Sequence, residues 1–268
     1  MSQMNTAQAS ATLLSFPKSG RTWLLAQVTH YTKQYFGLDE IVSQKPDSWH
    51  TLDPRIPRFR IVHDDDPHLK EPEELLVDKS EFNQDAVLLL VRDPRDVIVS
   101  LYFEMTRRTR FHAAWGFDVS KFPSKSMPIG DFIRNPRGGF QALLRYYEIW
   151  NQASRQIENF ACVRYEDLQS VPEETLSLVL QHWNLPVDPT HLANAVQSCQ
   201  FDQMQRKEAQ GAYSTLSLTP ADPDDPESFK VRRGKIGGYV DYLSEEDIAF
   251  MNTLCAKLPP LVASYRGN

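Results

Sequence analysis

Cysteine is scarce in this sequence. The three present, Cys162, Cys199 and Cys255, are scattered and odd in number. Without CxxC spacing they exclude a disulfide framework and offer no zinc site. Positive charge is in deficit: 29 Lys and Arg stand against 35 Asp and Glu, a net charge of −6, which argues against a nucleic-acid partner held by phosphate neutralisation. No apolar run approaches the length of a membrane span. The first ten residues are polar and lack the basic and apolar regions of a signal peptide. A cytoplasmic location without a membrane partner is therefore expected. Also missing are a solenoid-type repeat and a Walker A loop, since no G-x-x-x-x-G-K-S/T spacing occurs.

A hydrophobic content of 41% over 268 residues suffices for one large domain, and residues 1–268 are read as one. Residues 12–16 form a short apolar run that ends at Pro17, as a buried strand does. Pro-Lys-Ser-Gly follows as a turn, and from Thr22 the apolar positions take helical spacing to Phe36-Gly37. Residues 59–62 read as a second strand ending in His63-Asp64-Asp65-Asp66. Residues 86–91 are continuously apolar, as in a parallel strand buried on both faces, and Arg92-Asp93-Pro94 then opens another helix. A further strand is expected at 160–164. Helical pieces are expected at 72–77, 127–133, 139–157, 172–183 and 189–198, and a last helix is capped by Ser244. Residues 209–231, with Pro220, Pro223, Pro226 and a run of acids, read as a mobile loop. Strand and helix alternation predicts an α/β fold: three layers, with a central parallel sheet flanked by helices.

Three separated segments carry anion donors at strand or loop ends. Lys18, Ser19, Gly20, Arg21 and Thr22 surround a helix start, where backbone N–H groups and the positive end of the helix converge. Arg92 follows the third strand, with Ser100 two turns into its helix. Arg232, Arg233 and Gly234 form a basic, glycine-containing turn. Such a set fits a ligand with phosphates at both ends.

In family order and over most of the chain, these segments resemble the cytosolic small-molecule sulfotransferases that use 3′-phosphoadenosine 5′-phosphosulfate (PAPS) and release 3′-phosphoadenosine 5′-phosphate (PAP). Phe16 to Trp23 is similar to the family's phosphosulfate loop, Arg92 to Ser100 to its 3′-phosphate motif, and Arg232 to Gly237 to its C-terminal motif. The resemblance implies that Lys18 and the backbone of Ser19 to Thr22, next to Trp23, hold the phosphosulfate. Arg92, Ser100, Arg232, Arg233 and Gly234 are implied at the 3′-phosphate. Tyr165 and Phe201 are implied at the adenine, with Trp49 a looser candidate for its other face. His63 is implied as general base, with His68 a competitor, and no metal is implied. Arg21 stands where the family usually has Thr.

Other readings remain at this stage. A nucleotide kinase with an atypical phosphate loop would need a Mg²⁺-binding carboxylate, for which Asp93 and Asp167 are available. A catalytically silent nucleotide-binding module is another. The acceptor is expected to be a small molecule bearing a hydroxyl or amine. Asp64 to Asp66 and the acids of 222–227 raise the idea of a cationic one. The oligomeric state is open.

Overall fold

The computed structural model describes residues 10–39, 45–108, 122–211 and 218–266. Its sheet has four parallel strands, β1 (Ala11–Ser15), β2 (Phe59–Val62), β3 (Ala86–Val91) and β4 (Phe160–Arg164), in the order β2-β1-β3-β4. The chain passes from β1 to one side and returns on the other, so a switch point lies between the carboxyl ends of β1 and β3. Open α/β sheets place ligands there.

Strand side chains alternate between the two faces of the sheet. Leu14, Val87, Leu89 and Val91 enter one apolar layer, and Ala11, Leu13, Leu88 and Leu90 the other. Helices α2 (Pro94–Arg107), α3 (Ile129–Arg134), α4 (Phe140–Ala153) and α9 (Glu245–Cys255) pack on the first face. On the second lie α1 (Arg21–Phe36), α6 (Pro172–His182) and α7 (Pro189–Ser198). All six residues of β3 are buried, the arrangement its continuous apolar run predicts. Short helices α5 (Tyr165–Ser170) and α8 (Phe201–Ala209) complete the regular structure near the cleft. Among the described residues no helix is long and apolar enough to cross a membrane.

Several local expectations are modified. Residues 72–77 contribute only a 3-10 turn, Pro72–Glu74. Helix α4 stops at Ala153. Helix α8 was not foreseen in the sequence, because its buried positions are Met204 and the carboxylate Glu208, so the stripe does not read as apolar. That carboxylate also shapes the segment read as a mobile loop. Glu208 accepts hydrogen bonds from the N–H groups of Lys230 and Val231, both at 2.7 Å. The guanidinium of Arg108 donates to the carbonyls of Thr219 and Ser228 at 3.0 and 2.6 Å. Residues 218–231 are thus tied to α2 and α8, while residues 212–217 lie outside the described residues.

Candidate active site

A cavity of about 880 Å³ opens at the switch point. Its floor is the turn between β1 and α1. Lys18 takes a left-handed backbone (φ +75°) and Gly20 follows at φ +102°. For a lysine that conformation costs about 1–2 kcal/mol. At Gly20 a side chain is excluded as well, because a Cβ would fall 2.4 Å from the Tyr165 ring. Helix α1 has neither a side-chain cap nor an acidic residue in its first turn, so its positive end is left for a ligand. Lys18, Gly20, Arg21, Thr22 and Trp23 line the cavity. Ser19 is buried beneath it, its N–H turned to the Phe16 carbonyl at 3.3 Å.

At the end of β3, Tyr147 of α4 clamps Arg92. Its hydroxyl donates to the Arg92 carbonyl at 2.9 Å and accepts from the Arg92 N–H at 3.3 Å. The guanidinium lies 4.2 Å over the Tyr165 ring and reaches the Lys18 carbonyl at 3.4 Å. Its buried Nε has no hydrogen-bond partner among the described residues, as expected of a donor waiting for an anion. Ser100 lines the same wall from α2. Tyr165, Trp23 and Phe201 form an aromatic slot: the rings of Trp23 and Tyr165 meet edge to face at 5.5 Å, and Phe201 packs against Gly234. A Cβ on Gly234, which sits at φ +61°, would fall 2.4 Å from Phe201 Cε2. Trp49 also lines the cavity; it is 1% exposed and packs edge to face on Phe59.

The basic turn after residue 231 is brought here by Asp96. Its buried carboxylate accepts from the N–H groups of Gly237 and Tyr239 at 2.8 and 3.0 Å. In the sequence Asp96 reads only as a first-turn acid of α2, so this role was hidden. Arg232 pairs with Glu227 at 2.7 Å, and Arg233 and Lys235 with Asp241 at 2.7 and 2.8 Å. Asp96→Ala, which strands two half-buried N–H groups, is expected to cost about 1–2 kcal/mol, read as a shift of the denaturant midpoint, and to open residues 235–240 to proteolysis.

His63 leaves the end of β2 and lines the cavity. Its Nδ1 lies 2.8 Å from the Ser15 carbonyl. A carbonyl only accepts, so Nδ1 carries the proton and Nε2 keeps its lone pair. Burial, and then the nearby Arg21 guanidinium, hold the imidazole well below its ordinary pKa. At neutral pH His63 is therefore uncharged, with Nε2 free to accept a hydrogen bond. His68 is buried and its ring centroid is 6.3 Å away.

The three aspartates after His63 are more than a solvated turn. All have positive φ, a conformation aspartate tolerates better than most residues. Asp64 pairs with Lys79 at 2.7 Å, both side chains buried, and Asp65 pairs with Lys70. Only Asp66 lines the cavity.

A charge cluster gathers around the buried Glu104. Glu104 of α2 meets Lys18 Nζ at 2.6 Å, Lys230 Nζ at 3.3 Å and Arg108 Nε at 3.4 Å. Burial above all lowers the Lys18 pKa to about 7. Glu104 works against that shift, and Lys230 and Arg108 add to it. Nothing in the sequence marked Glu104, which looks like one more charged helix residue.

The chain matches the sulfotransferase domain family over residues 9–260: it is a member of the sulfotransferase family. No curated protein matches it in sequence. Among solved structures, it is similar to mouse sulfotransferase SULT7A1 complexed with PAP, at 18% identity and a TM-score of 0.61, covering 96% of this chain and 87% of that one. It is also similar to retinol dehydratase in complex with androsterone and PAP, at 16% identity and a TM-score of 0.56, covering 91% and 78%. A retinol dehydratase complex with retinol and PAP gives 16%, 0.57, 91% and 79%. At these identities the likeness is one of fold: a central parallel sheet flanked by helices.

Proposed function

We propose that this protein transfers the sulfuryl group of PAPS to a hydroxyl or amine of a small-molecule acceptor. One observation carries the reading. Lys18, Arg92 and His63 leave the ends of three adjacent parallel strands and face a single cavity, with the tautomer of His63 fixed by Ser15. PAP in the similar structures supports the nucleotide, and androsterone and retinol in two of them support a small acceptor. The orphaned Arg92 Nε fits such a ligand, and the glycines at 20 and 234 let the Tyr165 and Phe201 rings pack against the backbone beside it.

In this reading the open end of α1 and the side chains of Lys18 and Thr22 hold the phosphosulfate. Arg92 and Ser100, joined by Arg232, Arg233 and Gly234, bind the 3′-phosphate, so Arg232 and Arg233 exchange their carboxylate partners for it. Tyr165, Trp23 and Phe201 enclose the adenine. His63 Nε2 takes the proton of the acceptor as its oxygen or nitrogen bonds to sulfur in line with the bond that breaks. Lys18 neutralises the charge that accumulates on the departing phosphate oxygen, and PAP leaves with that electron pair. No step calls for a metal. The reading further places the protein in the cytoplasm as a single domain.

The kinase alternative loses its carboxylates: Asp93 caps α2 and pairs with Arg95 at 2.7 Å, and Asp167 pairs with Arg164. Neither lines the cavity. Incubation with ³⁵S-labelled PAPS and a panel of phenols, alcohols and amines tests the proposal. Label is expected in an acceptor, with stoichiometric PAP. Tight PAP binding without transfer to any acceptor would favour the silent module.

A further inference from the structure

Arg21 is the cation of the loop between β1 and α1 whose side chain has no polar partner among the described residues. It is the first residue of α1 and lines the cavity, and it has no hydrogen bond or ion pair to any described residue. Lys18, by contrast, has Glu104, Arg92 has backbone carbonyls, and Arg232 and Arg233 have Glu227 and Asp241. Its surroundings are those of the base. The positive charge of Arg21 is the strongest of those acting on His63, and its own electrostatic neighbour is the Tyr146 hydroxyl of α4. Burial pushes the guanidinium down to about 10, the cost of a cation with no counter-ion among the described residues in a partly dry site.

The carboxylates nearby do not supply that counter-ion. Asp64 and Asp65 are bound to Lys79 and Lys70. Glu104 already serves Lys18, Lys230 and Arg108. Of the acids of 222–227, Asp222 and Asp225 accept backbone N–H groups and Glu227 holds Arg232. The side of the cavity around His63 therefore carries net positive charge, with Asp66 the acid left on its lining. This reverses the charge expected of the acceptor from the acidic run alone.

We propose that Arg21 is a specificity residue of the acceptor site and that the acceptor is an anion: a hydroxyl or amine compound carrying a carboxylate, or an equivalent acidic group, that pairs with Arg21 while its nucleophile faces His63. The inference rests on the sulfuryl-transfer reading. An anion at Arg21 also cancels the charge that weakens His63, so binding the right acceptor makes the base stronger.

Three phenols of similar size test it: 4-hydroxyphenylacetate, neutral 4-ethylphenol and cationic tyramine. Their binding to the PAP-saturated protein is measured by calorimetry, and their turnover with PAPS is followed, for the wild type, Arg21→Gln and Arg21→Lys. Wild type is expected to favour 4-hydroxyphenylacetate over tyramine by about tenfold or more, the scale of one charge-assisted pair. Arg21→Gln is expected to erase that order and Arg21→Lys to keep part of it, which separates lost charge from lost folding. Equal or undetectable binding of the three, or an order that survives in Arg21→Gln, would overturn the proposal. So would a loss of PAPS affinity in Arg21→Gln as large as its loss of carboxylate affinity, since Arg21 would then belong to the sulfuryl end. Failure of PAP to bind the wild type would instead sink the sulfuryl-transfer reading, and this inference with it.

Discussion

His63→Ala is expected to lower kcat by about 10²–10⁴-fold, the range for a lost general base, with a much smaller change in the KM for PAPS. The pH profile carries the sharper signature. Burial and Arg21 hold His63 well below its ordinary 6.5, so the base form persists as pH falls, and the acid limb of kcat/KM lies well below 6.5. The opposite limb belongs to Lys18, whose charge is lost as pH rises through about 7 in the empty enzyme. The kcat/KM for PAPS, which reports the free enzyme, is therefore expected to decline above neutrality. The kcat declines later, because bound phosphosulfate favours the protonated lysine. An acid limb at 6.5 or above, or a His63→Ala enzyme within threefold of wild type, would remove His63 from its role.

Glu104→Gln should be the most damaging single change to the fold at the site. It leaves Lys18, Lys230 and Arg108 together without the carboxylate that lies within 3.4 Å of all three. Breaking a buried charge network from one side costs about 3–5 kcal/mol, read as a large fall in the denaturant midpoint at pH 7. The loss is expected to shrink at pH 9, and the sign follows from linkage. The folded pKa of Lys18, about 7, lies below its ordinary 10.5, so between those values the unfolded chain binds more protons and stability rises with pH. Without Glu104 the Lys18 pKa falls further, the window opens lower, and the relief is larger than in the wild type. An unchanged midpoint at pH 7 would mean that the cluster is solvated.

The sequence revealed the frame because the frame is local. The continuous apolar run at 86–91 has the pattern of a strand covered on both faces, and a lysine and a glycine between strand and helix mark a turn at a helix start. The β-strands at 59–62, 86–91 and 160–164 accordingly fall where the residue pattern puts them. What stayed hidden depends on distant partners. Lys18 and Glu104 are 86 residues apart, Asp96 and Gly237 141. Tyr147 reads as one more core aromatic of α4, and its packing is that of the core; only the position of its hydroxyl against Arg92 gives it a second role. The partners of the acidic run at 64–66 stayed hidden for the same reason, since Lys79 and Lys70, which pair with Asp64 and Asp65, are separated from it by turns that no periodicity predicts.

The most direct test of the central claim is calorimetric titration of PAP into the wild type and into Arg92→Ala. Binding to the wild type is expected, with a loss of about tenfold to a hundredfold in the variant, the value of charge-assisted hydrogen bonds to a phosphate. No PAP binding to the wild type, or equal binding to both proteins, would contradict the assignment of this cleft to the sulfuryl-donor nucleotide.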